Sequence, residues 1–450
     1  MRSQVRVISY SWSHQTFVNA PHCRCSMAGL GNTCYQGRFQ MQAKRCLTMS
    51  RLPATGSRVP SNSEYYELTI LKTYLLVILS KHCKNIDKDY ISMGRRFGTI
   101  LVTGGAGFIG SNFIHYLFKP QTGFTGNLVN LDKLSYAGNL ENLTEIEKEY
   151  GGTRYFFERA DICDRTRVDE ILKDYSIDAI VHFAAESHVD RSIHGPEEFI
   201  RTNVMGTFTL LEAARGFWKD RKNVLFHHVS TDEVYGSLGD SGYFKEDTPY
   251  DPRSPYSASK AGSDHLVKAY FHTYGMPITL TNCSNNYGPY QFPEKLIPLM
   301  VSNMRTGKAL PVYGDGKNIR DWLYVEDHNS AVWLVMKQGR LGETYNIGGE
   351  NEWENIKLLD KLIEIVAAAT KAPTEKIRST ITYVKDRPGH DRRYAIDCSK
   401  LKKELGWKQS VSFEEGLKKT VDWYSAHDEW IKRIQSGEYK AWMEKNYDKR

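Results

Sequence analysis

Two adjacent carboxylates, Asp232 and Glu233, follow an apolar run in the segment HHVSTDEVYG. Neighbouring residues on a regular strand point to opposite faces, so both acids can serve one site only if the chain leaves strand geometry there. We therefore predict a tight turn or short helix beginning at Asp232, with Ser230 or Thr231 as its cap. Burial or crowding would raise the pKa of one carboxyl and keep it protonated. The alternative is an Asp-Glu pair that only complements a helix dipole.

A glycine-rich segment, TGGAGFIGS, follows the first apolar run and opens a helical pattern. Gly104, Gly107 and Gly110 would permit a tight turn and a close approach of the backbone to a pyrophosphate. Asp132 closes the second apolar run 22 residues after Gly110, where a carboxylate accepts hydrogen bonds from an adenosine ribose. Its charge would repel a 2′-phosphate, so the pattern favours NAD over NADP. A structural glycine turn with a surface Asp is the alternative.

Two further segments end apolar runs with residues suited to a dinucleotide. In RADICD, Asp161 and Ile162 could flank an adenine ring, and in FAAES the small pair Ala184 and Ala185 would let a nicotinamide ribose approach. Taken alone, each segment is more typical of ordinary packing than of contact with a cofactor. Their shared position at strand ends favours contact with the cofactor.

Tyr256 and Lys260, in YSASK, are four residues apart and would share one face of a helix. A Lys ammonium beside a phenol, with NAD⁺ nearby, would lower the pKa of the phenol so that it can accept a proton near neutral pH. The same spacing arises by chance on exposed helices. Here it follows the fifth predicted strand and a Pro-rich loop, which favours catalysis.

The elements that must position these residues alternate regularly. Strands are predicted at 98–103, 127–132, 154–158, 178–183, 223–229 and 278–283, and helices at 109–119, 140–150, 164–175, 197–217 and 255–274. This alternation predicts an α/β fold, a Rossmann-type doubly wound parallel sheet whose ligands bind at the carboxyl ends of the strands. Beyond about residue 285, Pro and Gly become frequent between helical stretches at 294–306, 355–369 and 413–434.

We therefore predict two folded parts. The NAD-binding domain would comprise 94–285, and a smaller, partly interleaved C-terminal α/β domain, 286–450, would bind substrate. Residues of about 320–347 would return to the first domain.

The chain of 450 residues carries 60 Lys and Arg against 53 Asp and Glu, but residues 1–93 hold 12 of the bases and 4 of the acids. The rest is nearly neutral, which argues against a nucleic-acid partner. We interpret 1–93 as a disordered extension or a start-site artefact, with a targeting segment as the alternative. Its apolar block, 68–80, is too short to span a membrane. The scattered cysteines indicate reduced thiols, a cytoplasmic location and no metal site.

From about Gly98 onward the chain resembles the extended short-chain dehydrogenase/reductase family, and within it the nucleotide-sugar 4,6-dehydratases that act on dTDP-glucose. The resemblance rests on TGGAGFIGSN, NLDKLSYAGN, HFAAESHVDRSI, STDEVYG, YSASKA, NNYGPYQFPEKLIP, GDGKNIRDWLYVEDH, YNIGG and DRPGHDRRYAID. It implies NAD as cofactor and a homodimer, formed through the helices at 197–217 and 255–274.

The resemblance also implies binding residues. For the cofactor they are Gly104, Gly107, Phe108, Ile109, Gly110, Asp132, Lys133, Leu134, Ser135, Asp161, Ile162, Phe183, Ala184, Ala185, Glu186, Ser187, Thr202, Tyr256, Lys260 and Asn286. For the nucleotide sugar they are Ser187, Thr231, Asn285, Lys295, Leu296, Pro311, Val312, Tyr313, Arg320, Asn355, Asp386, Arg387, Pro388, Gly389 and His390. Arg320 and Arg387 would pair with the diphosphate, because a guanidinium matches phosphate oxygens.

The implied reaction gives Asp232 the role of acid and Glu233 that of base, with Thr231 bound to the carbon-4 oxygen near Tyr256. A ketone formed at carbon 4 acidifies the hydrogen on carbon 5, and water then leaves from carbons 5 and 6. A 4-epimerase or decarboxylase would share the Tyr/Lys pair but would not need two acids in this loop. A non-catalytic NAD-sensing protein would need neither pair.

Overall fold

The computed structural model describes residues 94–219, 221–386 and 389–436. The predicted extension, 1–93, therefore lies outside the described residues, as do Arg387 and Pro388. In the described part of the chain, no helix has the length and apolar character needed to cross a membrane.

The strands, in chain order, are β1 (Thr99–Thr103), β2 (Asn127–Asp132), β3 (Tyr155–Arg159), β4 (Ala179–His182), β5 (Leu225–Thr231), β6 (Ile278–Cys283), β7 (Asn285–Tyr287), β8 (Leu310–Tyr313), β9 (Ile319–Tyr324), β10 (Thr344–Ile347), β11 (Glu352–Glu354) and β12 (Ile381–Val384). The α-helices are Phe108–Leu117, Thr144–Tyr150, Arg165–Asp174, Val189–His194, Pro196–Phe199, Thr207–Phe217, Pro255–Tyr274, Leu296–Thr306, Val325–Gln338, Asn355–Thr370, Thr374–Arg378, Ser399–Leu405, Phe413–Ala426 and Asp428–Ser436. Short 3-10 helices are Pro120–Thr122, Leu140–Leu143 and Asp232–Tyr235, and a π-helical segment is Ile200–Gly206.

Seven of these strands form one sheet in the order β10-β6-β5-β4-β1-β2-β3. Every neighbouring pair in it is parallel. The first six strands are the six predicted ones, each within a few residues of its expected bounds. The predicted doubly wound parallel sheet is confirmed.

Both faces of the sheet are buried, because alternate residues of each strand enter different cores. On β1, Ile100 and Val102 pack into one core, which also contains Trp333 from the helix Val325–Gln338. Leu101 packs into the opposite core with Leu210. The sheet is thereby held rigid, and its carboxyl edge is left to carry polar residues.

The C-terminal part contains a third core, formed by the helices Leu296–Thr306, Asn355–Thr370 and Phe413–Ala426. β10 pairs with β6 of the main sheet, so the chain returns there after β9. One prediction is wrong: the helix expected over 413–434 is interrupted at His427, whose backbone is not helical. The His427 ring stacks on Trp423, with ring centroids 4.2 Å apart.

Candidate active site

A cavity of about 310 Å³ opens at the carboxyl edge of the main sheet. It is bordered by the residues that follow β1, β2, β4, β5 and β6, as expected for a doubly wound sheet. The predicted site residues that line it are Gly104, Gly107, Phe108, Ile109, Gly110, Asp132, Lys133, Ser135, Ile162, Phe183, Ala184, Ala185, Glu186, Ser187, Thr202, Thr231, Asp232, Glu233, Tyr256, Lys260, Asn285, Asn286 and Lys295.

The glycine turn after β1 tolerates no side chain at two positions. Gly104 has φ 72°, and a Cβ built there would lie 2.6 Å from the backbone nitrogen of Ala184. At Gly110 the nearest atom to such a Cβ would be the Gly104 carbonyl oxygen, at 2.3 Å. The turn therefore presents bare backbone at the start of the helix Phe108–Leu117, which suits a diphosphate.

Asp132 ends β2 beside this turn and is almost completely buried. Its carboxylate accepts hydrogen bonds from the backbone nitrogens of Ala106 (3.0 Å) and Leu134 (2.8 Å). Burial raises the pKa of Asp132, and these two hydrogen bonds oppose the rise. Leu134 does not line the cavity: it packs against Ala106 and Leu140.

Lys133 and Thr202 come together although they are far apart in sequence. Lys133 Nζ lies 2.9 Å from Glu198 Oε1 and 3.4 Å from the Thr202 hydroxyl. Thr202 belongs to the π-helical segment, a type of distortion common at functional sites. Asp161, which was predicted to contact the cofactor, does not line the cavity; its carboxylate lies 3.2 Å from the Arg201 guanidinium.

The carboxylate pair adopts the predicted geometry. β5 ends at Thr231, and a 3-10 helix, Asp232–Tyr235, begins at the next residue. The Thr231 hydroxyl accepts a hydrogen bond from the backbone nitrogen of Glu233, at 3.3 Å. The predicted short helix, with Thr231 as its cap, is thus confirmed, and both acids line the one cavity.

The two acids differ in how deeply they are buried. Asp232 is buried, and its Oδ2 accepts no hydrogen bond from any described residue. Burial raises the pKa of Asp232 well above its ordinary value, and the neighbouring Glu233 carboxylate raises it further. Glu233 is only half-buried. The pair is therefore suited to hold one proton, on Asp232.

Tyr256 and Lys260 lie in the first two turns of the helix Pro255–Tyr274. Pro255 at the first helical position and a capping box between Ser254 and Ser257 fix its start. Both side chains are buried and line the cavity. The spacing therefore delivers a phenol and an ammonium to the same wall as the carboxylate pair.

Burial dominates the pKa of Tyr256 in the protein alone, so the predicted lowering of this pKa by Lys260 together with NAD⁺ stays a prediction. Burial raises the pKa of Tyr256 well above its ordinary value, with the Glu233 carboxylate as the second cause. Lys260 Nζ instead donates a hydrogen bond to the Val229 carbonyl oxygen, at 2.8 Å. A phenol in this position requires an added positive charge before it can readily release its proton.

The predicted nucleotide residues of the C-terminal part behave differently. Among the described ones, those that do not line the cavity are Leu296, Pro311, Val312, Tyr313, Arg320, Asn355, Asp386, Gly389 and His390. Val312 is buried in the third core, and Leu296 packs against that core. Arg387 and Pro388 lie outside the described residues.

Three of these residues gather at a second location. His390 Nδ1 lies 2.6 Å from Asp386 Oδ1, and the His390 ring faces Tyr313 edge-on, with centroids 6.4 Å apart. Arg320 is buried nearer the carboxylate pair. Its guanidinium donates to the Asp391 carbonyl oxygen and covers the Tyr394 ring at 4.3 Å. Its charge reaches Asp232 and partly offsets the rise in the pKa of that carboxyl.

Several residues that line the cavity were not predicted, among them Tyr136 and Glu294. The Tyr136 hydroxyl donates a hydrogen bond to Glu294 Oε1, at 2.9 Å, and the Arg191 guanidinium covers the Tyr136 ring at 3.5 Å. The other missed residues are Leu131, Ala137, Gly138, Ala160, Val229, Ser230, Cys283, Ser284, Gln291 and Phe292. Tyr136 and Glu294 both stand within family-like motifs, which was the available signal.

The residues present fit a nicotinamide dinucleotide. The turn at Gly104 and Gly110 has room only for backbone, and a buried carboxylate, Asp132, ends the second strand beside it. Ala184 and Ala185 line the same cavity as this turn and Tyr256. These are the features that a dinucleotide site on a doubly wound sheet requires.

Comparison with known proteins agrees with this geometry. The family model of GDP-mannose 4,6 dehydratase matches residues 101–420. The dTDP-glucose 4,6-dehydratase of Salmonella typhimurium is 54% identical over 369 residues, covering 78% of this chain and 99% of that protein. A Bacillus anthracis dTDP-glucose 4,6-dehydratase, crystallised in complex with NAD, is 47% identical with a TM-score of 0.66, covering 75% of this chain and 99% of that one.

A Streptomyces venezuelae dTDP-glucose 4,6-dehydratase, crystallised with NAD, is 46% identical with a TM-score of 0.69, again covering 75% of this chain and 99% of that one. The match thus extends over nearly the whole length of each of these relatives. The chain therefore belongs to the dTDP-glucose 4,6-dehydratases, a branch of the extended short-chain dehydrogenase/reductase family.

Proposed function

We propose that this protein is an NAD-dependent hydro-lyase that converts dTDP-glucose to dTDP-4-keto-6-deoxyglucose. Its relatives are named dTDP-glucose 4,6-dehydratases, and solved relatives have been crystallised with NAD and TDP-sugar substrate. One observation of the structure carries the proposal: the buried Asp232 and the half-buried Glu233 line the same cavity as Tyr256 and Lys260. When bound, the nicotinamide cofactor would supply a hydride acceptor for carbon 4 and, once reduced, a hydride donor for carbon 6.

Oxidation at carbon 4 needs a group that accepts the hydroxyl proton. We assign this role to Tyr256, with the Thr231 hydroxyl beside it as partner for the carbon-4 oxygen. The raised pKa of Tyr256 means that its proton leaves readily only when positive charge is near. Lys260 and a bound nicotinamide cation would supply that charge.

The elimination of water then requires two proton transfers, one by each acid. Glu233 removes the carbon-5 proton, which the adjacent ketone has made acidic, and Asp232 donates a proton to the hydroxyl that leaves carbon 6. The pKa of Asp232, raised by burial, supports its role as the donor. Glu233 gives its proton back to carbon 5 when the hydride returns. The sum is loss of one water with no net oxidation.

Turnover of two nucleotide sugars tests the function. Purified protein with NAD should release a 4-keto-6-deoxy sugar from dTDP-glucose, seen as alkali-induced absorbance, and UDP-glucose provides the matched comparison. Release of a 4-epimer, or of carbon dioxide from a uronic acid, would instead indicate the epimerase or decarboxylase that the same fold can support. Nucleotide binding without turnover would indicate the NAD-sensing alternative.

We also propose that the C-terminal residues Tyr313, Arg320, Asp386 and His390 belong to the nucleotide site. This follows the division into an NAD-binding part, 94–285, and a substrate-binding part, 286–450. The support is proximity to the catalytic pair: Arg320 acts electrostatically on Asp232, and Glu233 acts on Tyr394, which lies beneath Arg320.

In the described part of the chain the three cysteines are free thiols, which supports a reducing, cytoplasmic location.

We propose further that the protein is a homodimer. Ile200, Met205 and Phe208 lie on one continuous helical run and are 47%, 50% and 40% exposed. Clustered exposed apolar side chains are typical of a protein interface. Light scattering should give twice the chain mass, and Met205→Glu should reduce it to one chain. Tyr243→Glu, at a 55% exposed site elsewhere, is the control and should remain dimeric.

A further inference from the structure

A third buried carboxylate, Asp264, lies behind the catalytic groups and has no role in the proposed reaction. It is four residues after Lys260 on the helix Pro255–Tyr274, and it is completely buried. Its Oδ2 accepts hydrogen bonds from the hydroxyls of Ser230 and Tyr250, each at 2.9 Å. Burying a carboxylate costs free energy unless a nearby positive charge or hydrogen bonds compensate its charge.

His228 connects this carboxylate to Lys260. The His228 Nε2 atom lies 3.1 Å from Asp264 Oδ1 and 3.5 Å from Lys260 Nζ. Burial lowers the pKa of His228 well below its ordinary value, and the Lys260 charge lowers it further, so the ring is neutral. A neutral ring adds no charge between Lys260 and Asp264. The formal charges of the cluster are thus on Lys260 and Asp264.

The other titratable groups facing Lys260 carry no charge. His182 on β4 is kept neutral because burial lowers its pKa well below the ordinary value. Cys283 on β6 is a protonated thiol because burial raises its pKa to about 12. Burial raises the pKa of Asp264 to about 6, while Lys260, the hydrogen bonds from Ser230 and Tyr250, and the charge of Lys268 oppose the rise. Above that pH it is the anion that faces the ammonium.

Asp264 also joins the two elements that carry the chemistry. Ser230, which it binds, immediately precedes Thr231 and the Asp232–Tyr235 turn on β5. Its own helix carries Tyr256 and Lys260. One carboxylate therefore fixes the carboxylate pair relative to the phenol and the ammonium.

We propose that Asp264 is a positioning residue: it places a buried carboxylate beside Lys260 and holds the end of β5 in register with Tyr256. The inference rests on the proposed dehydratase function and extends it to a residue that does not line the cavity.

Asp264→Asn tests this, since it keeps the shape of the side chain and removes its charge. We expect kcat to fall about 10- to 100-fold, a part of what positioned acid–base groups contribute. The KM for dTDP-glucose should stay within about threefold. Without the carboxylate the Lys260 pKa falls, so the alkaline limb of the rate of oxidation at carbon 4, the step that Lys260 serves, should move about one pH unit or more toward lower pH. A kcat and a pH profile equal to those of the parent would overturn the proposal.

Three further variants separate positioning from folding. Asp264→Glu restores the charge and should return the alkaline limb to its parent position, even if kcat stays low. Tyr250→Phe removes one hydrogen bond that lowers the Asp264 pKa, so the acidic limb should move to higher pH. Asp327→Asn changes an equally buried carboxylate that binds Ser410 and Val411, and it should leave both limbs unchanged.

If Asp264→Asn does not fold, Tyr250→Phe decides: an unmoved acidic limb contradicts the proposal. Parent protein that releases no keto-sugar would refute the proposed function, and this inference with it. Parent activity with an unaffected Asp264→Asn would refute this inference alone.

Discussion

The end of β5 and the segment around Asp386 were both expected to contact the substrate, yet they differ in burial and in position relative to the cavity. Asp232 is buried in the turn that follows β5, a strand paired with β4 and β6, whereas the Asp386 side chain is 44% exposed and lies outside the cavity. Groups that move protons need a fixed, dry environment, and groups that bind a nucleotide can be supplied from a more open surface. The first region should therefore govern kcat and the second KM.

The largest effect is expected at the base. Glu233→Gln keeps the shape of the side chain but removes its ability to take the carbon-5 proton, so turnover should fall about 10³- to 10⁴-fold. Deuterium uptake at carbon 5 in D₂O should fall in parallel. Exchange at the parent rate would show that another group removes this proton.

Asp232→Asn should come next, slowing water loss about 10²- to 10³-fold while sparing oxidation at carbon 4. The acid must be protonated to act, and burial raises its pKa. Water loss in the parent should therefore decline as pH rises through that raised pKa, and the variant should lose this limb. Asp240→Asn, on an exposed loop, is the control. An unchanged limb in Asp232→Asn would remove Asp232 from this role.

A smaller effect is expected at the cofactor turn. Gly104→Ala places a Cβ 2.6 Å from the Ala184 nitrogen, and strain of about 1–3 kcal/mol should raise the Kd for NAD at least about tenfold. Gly123→Ala is a matched control: its φ of 65° is equally unfavourable, but no atom lies within 4 Å of the new Cβ. Equal Kd values for both variants, measured by calorimetry, would argue against a dinucleotide at this turn.

The smallest effect is expected in the second region. His390→Ala should raise the KM for dTDP-glucose about fivefold and leave kcat within about twofold, since it removes binding that is the same in ground and transition states. His272→Ala, on an exposed helix face, should change neither constant. A fall in kcat in His390→Ala would show that the second region also governs kcat, which contradicts the expected difference between the two regions.

The sheet and its carboxyl edge were predictable because a parallel sheet brings distant strand ends together. Gly104, Asp132, Ala184, Thr231 and Cys283 follow or end strands far apart in sequence, and all line one cavity. The turn at Asp232 was predictable from strand geometry together with the premise that both acids serve one site. In these cases local pattern and global topology impose the same positions.

Contacts between loops were not predictable. Tyr136 and Glu294 are 158 residues apart, and no periodicity links them. The pKa of Tyr256 depends on how much polypeptide surrounds the ring, which the spacing of Tyr256 and Lys260 does not reveal. The break at His427 is likewise a tertiary effect, because the amphipathic pattern continues through it.

The central claim is that hydrogen leaves carbon 4 and returns to carbon 6 within one active site. It can be tested with dTDP-glucose carrying deuterium at carbon 4, converted in ordinary water, with the product analysed by NMR. We predict that the deuterium appears at carbon 6 of the keto-sugar. Deuterium lost to solvent, or still on carbon 4 of a released product, would contradict the account.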